Sequence, residues 1–207
     1  PALKPWTAKS YEVSAEYYFN SGGVASAAFF RKNVSNAFGS RTVKLDKELL
    51  AEFGLESLYE NWDLVSTFNV GQATRIDGIE LNWQQPLAFL PAFARGVSAF
   101  GNLTVLDVDG SAFISLQTKT ANWGLSYSRG RVGFGFSWNY LGDISTATGN
   151  IGAGGVTRTK PLLTLDLNSE YRFHRRLSVF FNARNLTNSL TRQLRLSPLT
   201  PEYSHPR

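Results

Sequence analysis

Between Leu163 and Asn188 apolar and polar residues alternate almost without interruption. Leu163, Leu165, Leu167, Tyr171 and Phe173 fall on one face of an extended strand, and Thr164, Asp166, Asn168, Glu170 and Arg172 fall on the other. Strand side chains point to opposite faces with period two, so this run predicts a sheet with one apolar and one polar surface. His174, Arg175 and Arg176 supply a tight turn into a second strand from Leu177, which ends in Asn185-Leu186-Thr187-Asn188. A run of about ten residues is also the length at which a tilted strand crosses a bilayer.

The same pattern recurs along the chain. Tyr11, Val13, Ala15, Tyr17 and Phe19 alternate with Glu12, Ser14, Glu16 and Tyr18, and Asn20-Ser21-Gly22-Gly23 turns the chain into a second strand from Val24 to Val34. These residues predict a β-hairpin. Residues 38–62 read as a long loop carrying one short helix, because Leu49, Leu50, Phe53, Leu55 and Leu58 recur at helical spacing behind Asp46, a good N-cap. A long strand is expected from Val65 to Trp83, then an apolar connection, residues 84–96, with Pro86 and Pro91, and a returning strand from Val97 to Asp107. Ala121, Trp123, Leu125 and Tyr127 form the clearest pair with Val132, Phe134, Phe136, Trp138 and Tyr140 across Arg129-Gly130-Arg131. Residues 142–160 read as a second long loop, rich in Gly and Thr.

The expected fold class is all-β: an antiparallel transmembrane β-barrel fragment of about eight strands, forming a curved open sheet. Two features favour it over a soluble sandwich. Connections alternate between short (about residues 20–23, 129–131 and 174–176) and long (about 38–62, 142–160 and 190 onward), as when periplasmic turns face extracellular loops. Large aromatics lie toward strand ends on the apolar face, where interfacial girdles sit. The alternative is a soluble, aromatic-rich β-sandwich that binds carbohydrate, which would gather its aromatics on one concave surface rather than in a belt.

Composition favours an aromatic-rich β protein. Aromatics make up 14% of the 207 residues and charged residues only 18%, against roughly 25% charged in soluble domains. No run of about 18 apolar residues exists, so no spanning helix is expected. The net charge of +5 is scattered rather than gathered in a basic block, which argues against nucleic-acid binding. The absence of Cys suits a bacterial envelope protein without deciding for one, and the absence of Met with a start at Pro1 suggests a processed product or fragment.

Candidate chemistry is sparse. Residues 149–155 (GNIGAGG) have no strand before them and no helix after, so they read as a surface loop rather than a phosphate loop. Asp107-Val108-Asp109-Gly110 lacks the remaining ligands of a calcium loop. His174 and His205 are far apart and have no second ligand at metal spacing. Glu12 and Glu16 share a strand face but stand about 13 Å apart, too far for paired acid/base work. The sequons at Asn33, Asn102 and Asn185 fall within expected strands. The sequence therefore nominates no catalytic residue, no metal ligand and no cofactor.

The ordered segments Lys9 to Tyr17, Val24 to Lys32, "FNVGQATRIDGIEL" from Phe68 to Leu81, and "LDLNSEYRF" with "LSVFFNARNLTN" resemble the C-terminal part of the barrel of TonB-dependent outer-membrane receptors. The resemblance implies a barrel of about twenty-two strands around an N-terminal plug, in the bacterial outer membrane, importing siderophore-iron, cobalamin, carbohydrate or another scarce nutrient. It implies TonB, the plug, outer-membrane lipid and a small nutrient ligand as partners. Gly71, Gly78 and Glu80 match the family's "N-x-G…G-x-E" strand, and Asn185 and Leu186 match the Asn-Leu that ends its penultimate strand. Each also fits a structural role: Gly78 close packing or bending, Glu80 pairing with cations of the lumen or plug, Asn185 the organisation of a strand end. Such receptors finish on an aromatic residue, whereas here the sequence reads Ser204-His205-Pro206-Arg207. Residues 1–207 are accordingly expected to form a single partial barrel domain without plug, earlier strands or closing strand. Ligand contacts, if the chain supplies any, are expected in the loops Gly39 to Asn61, Val108 to Thr118 and Asp143 to Thr159.

Overall fold

The computed structural model describes residues 3–109, 116–147, 156–197 and 200–206. Eight strands form one antiparallel sheet: β1 (Thr7–Tyr18), β2 (Val24–Ser35), β5 (Thr74–Pro86), β6 (Val97–Asp109), β7 (Lys119–Arg129), β8 (Val132–Leu141), β11 (Leu162–His174) and β12 (Leu177–Ala183). Each pairs with the next in that order, so the sheet is a meander with β1 and β12 at its edges. Among the described residues the sheet stays open.

The long connections carry structure of their own. Between β2 and β5 lie β3 (Phe38–Lys44), helix α1 (Lys47–Phe53) and β4 (Asp63–Asn69), with β3 and β4 paired as a separate hairpin. Between β8 and β11 lie β9 (Ile144–Ala147) and β10 (Val156–Thr159); these join β13 (Arg192–Ser197) and β14 (Thr200–Pro206) in a four-stranded sheet. Asp46 caps α1 as its residue type predicts, its carboxylate accepting from Leu49 N at 2.9 Å, and Gly54 ends the helix in the left-handed conformation.

Three expectations are corrected. The strand anticipated from Val65 to Trp83 is two strands, because the chain breaks at residues 70–73 opposite Asn36 and Ala37. Asn69 fixes the break: its amide donates to Asn36 O and Lys4 O, both at 2.8 Å, and its Oδ1 accepts from Lys4 N at 2.7 Å. Residues 38–62 and 142–160, read as loops, contain β3 and the pair β9–β10.

Register sorts the side chains into two faces. Val13, Phe29, Ile79 and Val105 stand side by side on one face, as do Trp123, Trp138 and Leu165, then Leu125, Phe136 and Leu167. No second layer covers this face among the described residues, and its large side chains, Trp83, Trp123, Phe136 and Phe181 among them, are exposed. Burying such a side chain is worth about 1.5–3 kcal/mol, so leaving about ten of them in water would forgo as much as a domain's whole net stability of about 5–15 kcal/mol. A closed soluble sandwich is therefore not what this chain forms. The 13-residue strands β5, β6 and β11 extend about 43 Å at about 3.3 Å per residue, enough to cross an apolar band about 25 Å tall when tilted about 40°.

Candidate functional site: the polar face and the two rims

The opposite face is polar and concentrates amides. Ser26, Asn82, Asn102, Asn122, Asn139 and Thr164 stand in register across six neighbouring strands, β2 to β11. Asn82 donates to Ser26 Oγ at 3.3 Å, Asn122 donates to Asn139 Oδ1, and Asn139 donates to Asp166 Oδ2 at 3.0 Å. The other oxygen of Asp166 accepts from Asn185 N at 2.8 Å, which extends the chain of hydrogen bonds to the end of β12. Beside this row a hollow of about 280 Å³ is lined in part by Ser26, Asn82, Gln84, Ser98, Asn102 and Ser126. A wall of amides and hydroxyls tolerates water and polar solutes on one side while its reverse face requires hydrocarbon. Asn102 had entered the sequence reading only as a sequon; its alternation with Gly101 and Leu103 was the available signal, and the row becomes visible only with the strand register.

Gly78 lies on this polar face, and its cross-strand partner Phe30 lays its ring directly over it. A Cβ at residue 78 would collide with that ring, so the glycine is required by close approach. Lys32 Nζ stands 4.7 Å from the centre of the Phe30 ring, a cation–π contact on the same wall. Glu80 is two residues on from Gly78, on the same face, exposed and without a bond to another described residue. Gly71 lies outside the strands, in the break between β4 and β5, with open space around it. Asn185 adopts a left-handed conformation (φ 53°) and binds Ser189 twice, its Oδ1 accepting from Ser189 N at 2.8 Å and its Nδ2 donating to Ser189 O at 3.0 Å. Leu186 N donates to Leu165 O at 2.7 Å, continuing the pairing beyond β12. The five matched residues thus do not form one cluster.

The long-loop rim is laced with ion pairs. Arg31 grips Asp77 with two hydrogen bonds of 2.6 and 2.7 Å, Arg75 lies 3.5 Å from Asp109, Lys44 lies 2.9 Å from Asp63, and Arg158 lies 2.7 Å from Asp143. The hydrogen bond from Arg158, helped by one from its own backbone N–H, holds the Asp143 carboxyl below the usual carboxylate range. Above this rim, a hollow of about 520 Å³ opens between α1, β3, β4 and the segment before β1, lined in part by Leu3, Lys4, Leu49, Phe53, Phe68 and Asn69. Of the three loops expected to hold ligand contacts, the first is described, whereas residues 110–115 of the second and 148–155 of the third, including the whole Gly-rich run 149–155, lie outside the described residues. Asp109 of the calcium-like run is engaged by Arg75, and no group of three or more potential metal ligands occurs among the described residues.

At the short-turn rim, aromatics crowd onto the apolar face. Tyr17 and Phe19 pack edge to face at 5.0 Å, Tyr171 and Phe173 at 4.6 Å, and Tyr127 lies 5.1 Å from Phe134. Among the described residues no helix is long and apolar enough to cross a membrane, which leaves crossing by strands untouched.

Residues 1–186 match the family described as TonB dependent receptor-like, beta-barrel. The chain belongs to this family. TonB-dependent receptor barrels are outer-membrane proteins of Gram-negative bacteria that act as receptors and transporters rather than enzymes. Among solved structures, two variants of the ferric enterobactin receptor PfeA of Pseudomonas aeruginosa, one of them in complex with enterobactin, share the fold. Their TM-scores are 0.65 and 0.64, with 20% identity over 89% of this chain and 26% of theirs. The siderophore receptor PirA of Acinetobacter baumannii gives a TM-score of 0.62 at 16% identity, over 91% of this chain and 28% of its own. The chain thus spans about a quarter of the length of these receptors. No curated protein matches it.

Proposed function

We propose that this chain is part of the barrel wall of an outer-membrane receptor that imports a scarce nutrient with energy delivered through TonB. The observation that carries the reading is the division of one open sheet into an uncovered apolar face and an amide-rich polar face. On this reading the apolar face meets outer-membrane lipid and the polar face lines the lumen. The short turns face the periplasm, and the long loops face outward to capture ligand. The remaining strands and the plug belong to parts of the receptor outside these 207 residues, and TonB acts on the plug to open a path along the polar wall. Asn82, Asn102 and Glu80, exposed on that wall, offer donors and acceptors to a hydrated solute or to plug side chains. Gly71, Gly78, Glu80, Asn185 and Leu186 serve the wall and its strand ends rather than a reaction.

Siderophore-iron is the first nutrient to test, because the solved relatives are receptors named for ferric enterobactin and for siderophores; cobalamin and carbohydrate follow. The experiment is deletion of the full-length gene, with growth and uptake measured across iron chelates, cobalamin and glycans. Loss of uptake of one class identifies the cargo. Unchanged uptake of every class would sink the import reading.

A further inference from the structure

The four connections at the short-turn end, residues 19–23, 87–96, 130–131 and 175–176, contain no Asp or Glu. They and the adjoining end of β7 carry Arg95, Arg129, Arg131, Arg175 and Arg176. None of these five guanidinium groups is ion-paired among the described residues, in contrast to Arg31, Arg75 and Arg158 at the other rim. The nearest carboxylates lie within the strands, Glu16 in β1 and Glu170 in β11, the latter 3.7 Å from Arg172; the turns themselves carry only positive charge, which attracts phosphate-like anions.

One of these connections is also unusually apolar. Residues 87–96 read LAFLPAFARG, and Phe89 and Phe93 are 82% and 78% exposed. The segment is held in place: Leu87 N donates to Val97 O at 2.9 Å, Ala94 N to Pro91 O at 2.9 Å, and Ser128 N to Gly96 O at 3.0 Å. Arg129 shares the apolar face with Tyr127, and its guanidinium donates to Ala92 O at 2.5 Å. The outward wall therefore grips the middle of this segment, next to the aromatic girdle. Nothing among the described residues covers the two phenylalanines. A cluster of exposed aromatics and cations, continuous with a lipid-facing girdle, is the chemistry of an interfacial anchor.

We propose that the short-turn rim is a binding surface for anionic phospholipid, with Phe89 and Phe93 entering the acyl region and the five arginines meeting headgroup phosphates. This rests on the reading that the apolar face meets lipid. The occupant is a lipid rather than a protein because the rim continues an apolar face that already demands hydrocarbon, and because its turns carry only positive charge. Cations near an anionic surface each add attraction that salt screens.

The test uses the full-length receptor reconstituted in nanodiscs of phosphatidylcholine mixed with phosphatidylglycerol, with the retained lipids counted by native mass spectrometry. The receptor should retain phosphatidylglycerol in preference to phosphatidylcholine, and added salt should weaken that preference. Replacing all five arginines by glutamine should cut the enrichment about tenfold or more, while five Arg→Lys replacements keep most of it and so control for damage to the fold. F89S/F93S should reduce it less. Equal retention of the two lipids by the wild type, or enrichment unchanged in the glutamine variant, overturns the proposal. So does crosslinking from position 89 or 93 that captures a periplasmic protein in place of lipid. Quenching of Trp83, Trp123 and Trp138 fluorescence by brominated acyl chains reports separately on whether the sheet faces lipid, so failure of the rim and failure of the membrane reading are distinguishable.

Discussion

The two rims of the sheet solve the same problem, reversing a chain, with different chemistry. At the short-turn rim the left-handed positions are glycines: Gly22 (φ 84°), Gly96 (φ 107°) and Gly130 (φ 61°). On the long-loop side they are asparagines: Asn36 (φ 59°), Asn61 (φ 68°), Asn185 (φ 53°) and Asn188 (φ 49°), with Gly54 as the cap of α1. Glycine adopts this conformation at no steric cost, while asparagine adopts it and can hydrogen-bond locally as well. Charge differs in the same direction: Arg31, Lys44, Arg75 and Arg158 on the long-loop side are ion-paired, while none of the five arginines of the short turns is ion-paired among the described residues, the nearest pair being Arg172–Glu170 within β11. The short turns use few side-chain bonds, Arg129 to Ala92 O and Gln85 to Ser21 Oγ among them, and leave their arginines without an acidic partner. Loops that must hold a shape in water spend their side chains on one another.

Gly96 is the position at which the short-turn rim depends most on glycine. A Cβ there would run into Ser128 O, a backbone atom, and φ of 107° is strained for any L side chain. Gly96→Val should destabilise the receptor by about 3 kcal/mol through strain and loss of the β6–β7 pairing at its end. Urea unfolding of receptor folded into vesicles measures this. A shift below about 1 kcal/mol would show that the rim does not depend on its glycine geometry.

Asn185→Gly makes the complementary cut. The backbone conformation and the bond from Asn185 N to Asp166 survive, but both side-chain bonds to Ser189 are lost. At about 1 kcal/mol for each bond, the expected loss is about 2 kcal/mol in the same unfolding measurement. If Asn185→Gly is neutral, only the left-handed backbone matters there, and the two rims are alike.

How much of this could be read beforehand follows from the range of the interactions. The eight wall strands and their tight turns were legible because alternation and turn residues act within a few positions, as in Tyr11 to Phe19 or Val132 to Tyr140. The helix start at Asp46 was legible for the same reason. The hairpin β3–β4 was not, since Phe38 pairs with Asn69 across a helix and more than twenty residues of chain, and the break after Asn69 depends on its bonds to Asn36 and Lys4. Strands β9 and β10, of four residues each, are too short to show a period. At the polar face the individual asparagines were visible but their row was not, because register places them and spacing along the chain does not.

The contribution of the long-loop ion pairs to stability should also respond to salt. Asp77 is the less exposed partner of its pair, and it faces both Arg31 at 2.6 Å and Arg75 at 3.6 Å. Asp77→Asn leaves two cations facing each other at the edge of the apolar band, so it should destabilise more than Arg31→Gln, which leaves Asp77 with Arg75. Both shifts in unfolding midpoint should be smaller than that of Asn185→Gly and should shrink as salt rises. An effect of Asp77→Asn independent of salt would show that packing, not charge, is what the pair provides.

The smallest effect belongs to Asp143, whose pair with Arg158 ties the start of the β8–β11 connection to β10. Both side chains are substantially exposed, at 38% and 52%, so water screens the pair and its contribution is modest. Its pH dependence has a definite sign. The Asp143 carboxyl titrates below its ordinary value of 3.8 because the Arg158 guanidinium hydrogen-bonds the charged form. The contribution is therefore complete at pH values above 3.8 and disappears only as the pH falls through the lowered value. Hydrogen–deuterium exchange of the amides in β10 should be insensitive to this pair from neutral pH down to about 4, after the intrinsic rate is corrected for. Below that, protection should fall in the wild type and stay level in Asp143→Asn, which has no carboxyl to titrate and begins less protected. Equal pH profiles for the two proteins would show that the β9–β10 arm is held by strand pairing alone, which would make it resemble the short-turn rim.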